Sequence, residues 1–325
     1  MTQPGAVTAP AIATQRGSLL AVHAALLVTA VLWGGNFTAV KYLLGELEPL
    51  DVIFVRVVGA AVTFIVLLAI SGRVLIPMRR DDAIRLVLIG VIGVTVMNLA
   101  MINGQKLIPA ALASLIVTSN PIHTAIISRV LIGEALTRRK IAGIALAFLG
   151  FLIVLLYGSG DGMDFDTSHL KGVFIVAIAP FSWAFYTVLS KPLLARYPPV
   201  HVAAYTSIAG AVGFFLTPLI RPGTLDRIGG MSGWGWVAAV FASVLAFAVG
   251  YVLWYRGLQR LTPSQTAVYI YLVPVFGLLS AWLILDERIT AFLILGGATI
   301  LAGVILTNSA RPETRPRYKG EAVDT

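Results

Sequence analysis

The feature that most constrains this chain is a recurrence. Stretches of about twenty residues with almost no Asp, Glu, Lys or Arg return along its whole length, separated by short connectors. Each is long enough for an α-helix, rising about 1.5 Å per residue, to cross the roughly 30 Å of hydrocarbon in a bilayer. Hydrocarbon offers backbone N–H and C=O groups no partner, and a helix supplies all of them internally. Only 12% of the 325 residues are charged and 58% are hydrophobic, against about a quarter and about half in a soluble domain. A water-soluble globular fold is excluded, and the chain is read as an all-α polytopic membrane protein.

Ten such stretches are predicted, at about 19–41, 50–71, 84–105, 108–131, 140–157, 172–194, 199–220, 234–255, 263–285 and 289–308. Residues 1–18, rich in Ala, Thr, Pro and Gly, are expected to form a disordered tail, and 309–325 a second tail. The segment from Gly17 to Val40 has the Arg-then-apolar look of a signal peptide. It is longer than a signal core and holds Trp33, Gly34, Gly35 and Asn36 in place of a cleavage site, so it reads as a retained first span. A Gly/Asp/Ser-rich linker at 158–171 divides the chain into units at 19–157 and 172–308.

Those two units resemble each other. A shift of 150 aligns Trp33 with Trp183, Lys41 with Lys191 and Pro49 with Pro199. A shift of 153 aligns Gly104 with Gly257, Pro121 with Pro274, Glu134 with Glu287, Gly143 with Gly296 and Gly150 with Gly303. Five spans per unit is an odd number, so the second copy crosses the bilayer in the opposite sense and the pair is expected to form two inverted five-helix repeats. With the N-terminus cytoplasmic, 17 of the 24 Lys and Arg residues fall inside and six outside, with Arg56 within a span. Both termini are therefore predicted to be cytoplasmic. The net charge of +9 lies in connectors of this kind, a membrane-orientation pattern that argues against nucleic acid as a partner. Two inverted copies also suit alternating access about a central site, which a signalling receptor does not need.

Polar residues inside spans usually face the bundle interior or an aqueous cavity. In span 1, Trp33 and Asn36 lie about one turn apart on one face. They offer a stacking surface and an amide, or else a packed and internally bonded helix contact. Span 3 carries Asn98 and Asn103, and span 4 carries Thr118, Ser119, Asn120, Pro121 and His123. Pro121, and Pro274 in span 9, are expected to kink their helices and free backbone carbonyls. His123 is a candidate for proton coupling, or a neutral histidine bonded to a neighbouring helix. The pairs Trp183/Tyr186, Tyr251/Trp254 and Gln265/Tyr269 each share a helix face and are candidate cavity walls. Lys41 and Lys191, at span ends, are expected to snorkel to headgroups. Arg56 needs a polar partner or a lipid phosphate, and Glu134, Asp286 and Glu287 are expected in boundary ion pairs.

No carboxylate lies near the centre of any span, which argues against proton antiport of cationic drugs. The chain has no cysteine, no HExxH, GxSxG, Walker A or GxGxxG motif and no Asp pair suited to intramembrane proteolysis, so no cofactor, metal or catalytic role is expected.

Several segments together resemble the drug/metabolite transporter superfamily, in particular its EamA-type members. They are Trp33-Gly34-Gly35-Asn36-Phe37, Arg56, the run from Asn120-Pro121 to Gly133-Glu134, and the run from Val273-Pro274-Val275 to Asp286-Glu287-Arg288. The resemblance spans about 20–308 and implies an inner-membrane carrier with a cavity between the repeats. It also implies export of amino acids or related metabolites, with Trp33, Asn36, Asn98, Trp183, Tyr186, Tyr251, Trp254, Gln265 and Tyr269 as substrate-binding positions. The small multidrug relatives carry a Glu in their first span, which this chain lacks before Glu46. A polar, uncharged cavity would suit a neutral or zwitterionic solute. The alternatives are a nucleotide-sugar or hydrophobic-drug carrier and, from another class, a membrane-embedded lipid-handling enzyme. Membrane lipid and a small-molecule substrate are the expected partners, and a monomer suffices because one chain holds both halves.

Overall fold

The computed structural model describes residues 9–72, 74–105, 107, 116–157, 170–285 and 291–309. The helices are α1 (Ala9–Glu46), α2 (Pro49–Ile70), α3 (80–105), α4 (Asn120–Ile132), α5 (Arg138–Tyr157), α6 (Leu170–Leu194), α7 (Pro199–Ile220), α8 (Gly233–Arg260), α9 (263–285) and α10 (Ala291–Asn308). A short helix, Thr224–Gly229, joins α7 to α8. Six of these, α1, α2, α3, α6, α7 and α8, are long and apolar enough to cross a membrane. No strand occurs among the described residues, and the chain is an integral membrane protein of helices.

Local chemistry sets several boundaries. Pro49, Pro199 and Pro263 open α2, α7 and α9, where the missing N–H has no helical partner to lose. Gly133, at φ 69°, ends α4 in the left-handed conformation that a Cβ disfavours. α1 begins at Ala9, inside the stretch expected as a tail, and once a helix is nucleated each further residue adds a hydrogen bond. The 158–169 part of the expected linker, the start of span 4 (108–115) and the tail beyond Ser309 lie outside the described residues. Pro121 sits in the first turn of α4, just after a turn at Ser119 that interrupts the helix Ile116–Ile132. Pro274 follows a 3₁₀ stretch, Val268–Tyr271, inside α9.

Polar contacts between connectors define two ends of the bundle. At the first, Asp51 at the start of α2 accepts from Arg227 Nε at 2.7 Å and Thr224 Oγ1 at 2.7 Å, and Glu46 accepts from Ser232 Oγ at 2.6 Å. At the second, Asp82 holds Arg196 at 3.2 Å and Tyr197 at 2.9 Å. Lys191 does not snorkel there. Its Nζ donates to the carbonyls of Leu258 (2.5 Å), Gln259 (3.2 Å) and Leu261 (2.8 Å), closing the C-terminus of α8 where a cation suits the helix dipole.

The halves cross over. α1 packs against α8 and α9 of the second half, while α6 packs against α3 and α4 of the first. α3 and α8 each contain a π-helical stretch, Val91–Val96 and Phe241–Val249, beginning 150 residues apart. α5 and α10 meet through glycines: a Cβ on Gly303 would fall 2.5 Å from the backbone nitrogen of Ala147, and one on Gly150 2.7 Å from that of Ile300. Gly143 faces Gly303, and Gly150 faces Gly296, so each glycine meets the repeat mate of the other and the helices run antiparallel.

At the second end Glu134, in the α4–α5 connector, is buried with Lys140 at 3.0 Å. It also accepts from Ser128 Oγ at 2.5 Å and from the hydroxyl of Ser264 at the start of α9. Burial pushes this carboxyl upward, but Lys140 and the serine hydroxyls outweigh it and hold it below the usual range. A depressed carboxyl stabilises the fold above its unfolded value of about 4.3 and ceases to as pH falls through the lower folded value.

Glu134→Gln therefore leaves a buried lysine without its anion and is expected to cost about 3–5 kcal/mol. Thermal unfolding of the purified chain should show a large deficit at pH 7 that shrinks toward zero at acid pH, and a deficit independent of pH would place the loss in packing. Gly303→Val should drive a branched side chain into the α5 backbone and destabilise by at least the ~1–3 kcal/mol of ordinary overpacking. Size-exclusion yield and unfolding temperature check it, and a wild-type profile would refute the close crossing.

Candidate functional site

Where the two halves meet, a cavity of about 110 Å³ opens between α1, α2, α3, α4, α6, α8 and α9. That is room for several water molecules or a small solute. Arg56 is seven residues into α2 from the first end, and Ala179 and Pro180 lie in the early part of α6, so the cavity occupies the half of the bundle nearer that end.

Toward the second end an aromatic block closes it. Trp33 and its repeat mate Trp183 meet edge to face with centroids 5.2 Å apart. Tyr251 packs on Trp183 at 5.1 Å, and Trp254 on Trp33 at 5.1 Å. Beneath them Tyr186 stacks on Trp183 at 4.9 Å and on Tyr255 at 5.3 Å, and Tyr255 shares a 2.7 Å hydrogen bond with Ser190. Each such pair adds about 0.5–1.5 kcal/mol beyond area burial, so the block is a continuous wall.

The π stretches shape the polar atoms of this wall. Their wider turns disturb the regular backbone ladder, and in each a side chain reaches a carbonyl. Trp33 Nε1 donates to Ala246 O at 2.9 Å, and Asn98 Nδ2 to Val94 O at 2.7 Å. Asn120, beside the interruption of α4, donates to Pro180 O at 2.9 Å and accepts from Thr124 at 3.2 Å, tying α4 to α6. Asn36 Oδ1 and Trp183 Nε1 have no hydrogen-bond partner among the described residues.

Of the residues singled out from sequence, Trp33, Asn36, Trp183 and Tyr251 line the cavity. Tyr186 and Trp254 stand behind it in the aromatic block, fully or nearly fully buried. Asn98 sits one layer back, accepting from Arg56 Nη1 at 3.3 Å. Gln265 and Tyr269 lie elsewhere: Gln265 forms the capping box of α9 with Thr262, and the Tyr269 hydroxyl bonds His23 Nδ1 at 2.5 Å, tying α9 to α1. His123 also lies outside the cavity, against the ring of Phe181 at 4.0 Å with Ser119 Oγ at 3.4 Å. The cavity residue that sequence reasoning undervalued is Arg56. A lone arginine seven residues inside an apolar span was the available signal. Asn120 and Thr118 also line it, as do Met97 and Met101, which nothing in the sequence distinguishes from core.

The EamA-like transporter family matches this chain twice, over residues 20–156 and 170–309. An uncharacterised transporter of Archaeoglobus fulgidus is 27% identical over 86% of this chain and 96% of its own length. A probable terminal-alkyne amino-acid exporter of Streptantibioticus cattleyicolor is 29% identical, covering 87% and 92%. A probable amino-acid metabolite efflux pump of Escherichia coli K12 is 28% identical, covering 86% and 92%. One crystal structure superimposes with a TM-score of 0.72 at 21% identity, over 87% of this chain and 96% of that one, a likeness of fold. The family and these relatives are transporters, not enzymes, and imply a small-molecule substrate and a membrane setting. With both halves matched, the chain belongs to the EamA-like transporter family.

Proposed function

We propose that this protein exports small neutral or zwitterionic metabolites, amino acids foremost, by alternating access through the cavity between its halves. In this reading ten transmembrane helices form two inverted five-helix repeats, 19–157 and 172–308, with both termini cytoplasmic in a bacterial-type inner membrane. One observation carries it: the cavity lies between the halves, and its floor is the contact of the repeat mates Trp33 and Trp183. Crossed packing of α1 and α6, the antiparallel α5–α10 contact and the paired π stretches support the inverted relation. The excess of Lys and Arg in connectors of the second end supports a cytoplasmic assignment for that end. The cavity then faces outward, and the aromatic block is its inner closure. Amino acids are favoured because two relatives bear names of amino-acid or amino-acid-metabolite exporters. Neither Lys41 nor Lys191 lines the cavity, which leaves Arg56 as its one cation among the described residues, fewer than a nucleotide sugar's diphosphate demands.

Proteoliposomes of the purified chain should take up a subset of labelled amino acids in saturable, competable counterflow. Trp183→Ala and Asn36→Ala are expected to lower that flux about tenfold, as the loss of roughly 1.4 kcal/mol of binding would, with unchanged size-exclusion profiles. Wild-type flux in both variants would remove these residues from the path, and no uptake of any amino acid would overturn the substrate assignment. An imposed pH gradient in the same vesicles tests whether His123 couples a proton.

A further inference from the structure

Among the described residues, one charged side chain lines the cavity. Arg56 is 7% exposed and lines it, and among the described residues its one hydrogen bond is Nη1 to Asn98 at 3.3 Å; Nε has none. An arginine at this depth is costly unless an anion or several acceptors meet it. The carboxylate nearest along the chain, Asp51, is fully buried one to two turns away and already holds Arg227 and Thr224. Among the described residues, no acidic side chain lines the cavity. The sequence has no Asp or Glu between Asp51 and Asp81, between Asp82 and Glu134, from Lys171 to Asp226, or from Arg227 to Asp286.

Resting on the carrier reading above and widening its solute class from zwitterions to anions, we infer that Arg56 recognises a carboxylate of the solute, and that the class selected is the amphipathic monocarboxylate, whose α-ammonium group is tolerated but not required. The planar guanidinium fork matches a carboxylate in two parallel hydrogen bonds, a geometry that lysine does not reproduce. Among the described residues, nothing comparable awaits an ammonium. The aromatic rings that could attract a cation are already engaged by neighbours, Trp33 with Trp183 edge to face at 5.2 Å, Trp183 with Tyr251 edge to face at 5.1 Å and Tyr251 stacked on Phe247 at 4.1 Å. The acceptor without a partner among the described residues, Asn36 Oδ1, is neutral and takes an N–H from an amide as readily as from an ammonium. Phe37, Phe247 and the methionines supply the apolar wall for the rest of the solute. An amino acid acylated on nitrogen therefore satisfies this site as fully as the free zwitterion, whereas masking its carboxyl removes the group that the site reads.

Four probes on one scaffold test this: N-acetylphenylalanine, phenylalanine, phenylalaninamide and N-acetylphenylalaninamide. Each competes in counterflow by full-length protein in proteoliposomes and is titrated against the thermal unfolding of the detergent-purified chain. The expected order places N-acetylphenylalanine at least level with phenylalanine and both amides tenfold or more weaker. In Arg56→Gln the ratio between N-acetylphenylalanine and its amide should fall to near one, while Arg56→Lys retains part of it. A merely structural arginine would change yield or stability and leave that ratio alone. Should Arg56→Gln not fold, the wild-type series and Arg56→Lys decide. Phenylalanine moving while N-acetylphenylalanine does not, amides competing as well as acids, or a ratio preserved in Arg56→Gln would overturn the assignment of Arg56 and leave the carrier standing. Saturable transport of none of the probes and of no amino acid would bring down both.

Discussion

Everything in this molecule answers to a solvent that makes no hydrogen bonds. In hydrocarbon a polar atom is satisfied by the protein or by water the protein admits. The places where regular helix is broken are accordingly the places where side chains do a backbone's work. Trp33 and Asn98 bond carbonyls of the two π stretches, Lys191 gathers three carbonyls at the end of α8, and Asn120 takes that of Pro180. The outer surface of the helices carries exposed apolar residues such as Ile70, Phe174 and Leu219.

The same demand explains how the halves hold together. Lipid tails are as apolar as leucine, so helix association rests on close backbone approach and polar links. The glycines of α5 and α10 give the first. The links sit at the ends: Asp51 with Arg227 at one, and Asp82 with Arg196 and Glu134 with Lys140 and Ser264 at the other. Asp51 and Arg227 join the two halves, as do Asp82 and Arg196, and Glu134 reaches Ser264 of the second half. In the alternating-access reading proposed above, a rocking of one half on the other would break some of these contacts.

What the sequence made legible is the part governed by spacing. Charge-free lengths foretold the helices, and the 150-residue shift pairs Trp33 with Trp183, which the structure brings into contact. Rotation about each helix axis was not legible, because an apolar helix in lipid has no strong polar face to fix it. Hence Arg56 read as a residue in need of a partner and stands in the cavity, while Gln265 and Tyr269 read as cavity walls and stand apart from it. For Gln265 a local signal existed: Thr262 and Gln265 are spaced as a capping box. For Tyr269 none did, since its partner His23 is 246 residues away. Lys191 shows the same limit, its destination being three carbonyls of another helix and not the headgroups.

The duplication copied the scaffold and not the charge. At the 150-residue shift the mate of Arg56 is Thr206, fully buried and bonded to Tyr186 at 3.2 Å. The two faces of the bundle are alike in outline and unlike in electrostatics, for the cation belongs to one half alone. On the inference drawn for Arg56, the seat for a carboxylate belongs to one half, because the residue at the equivalent place in the other is a threonine.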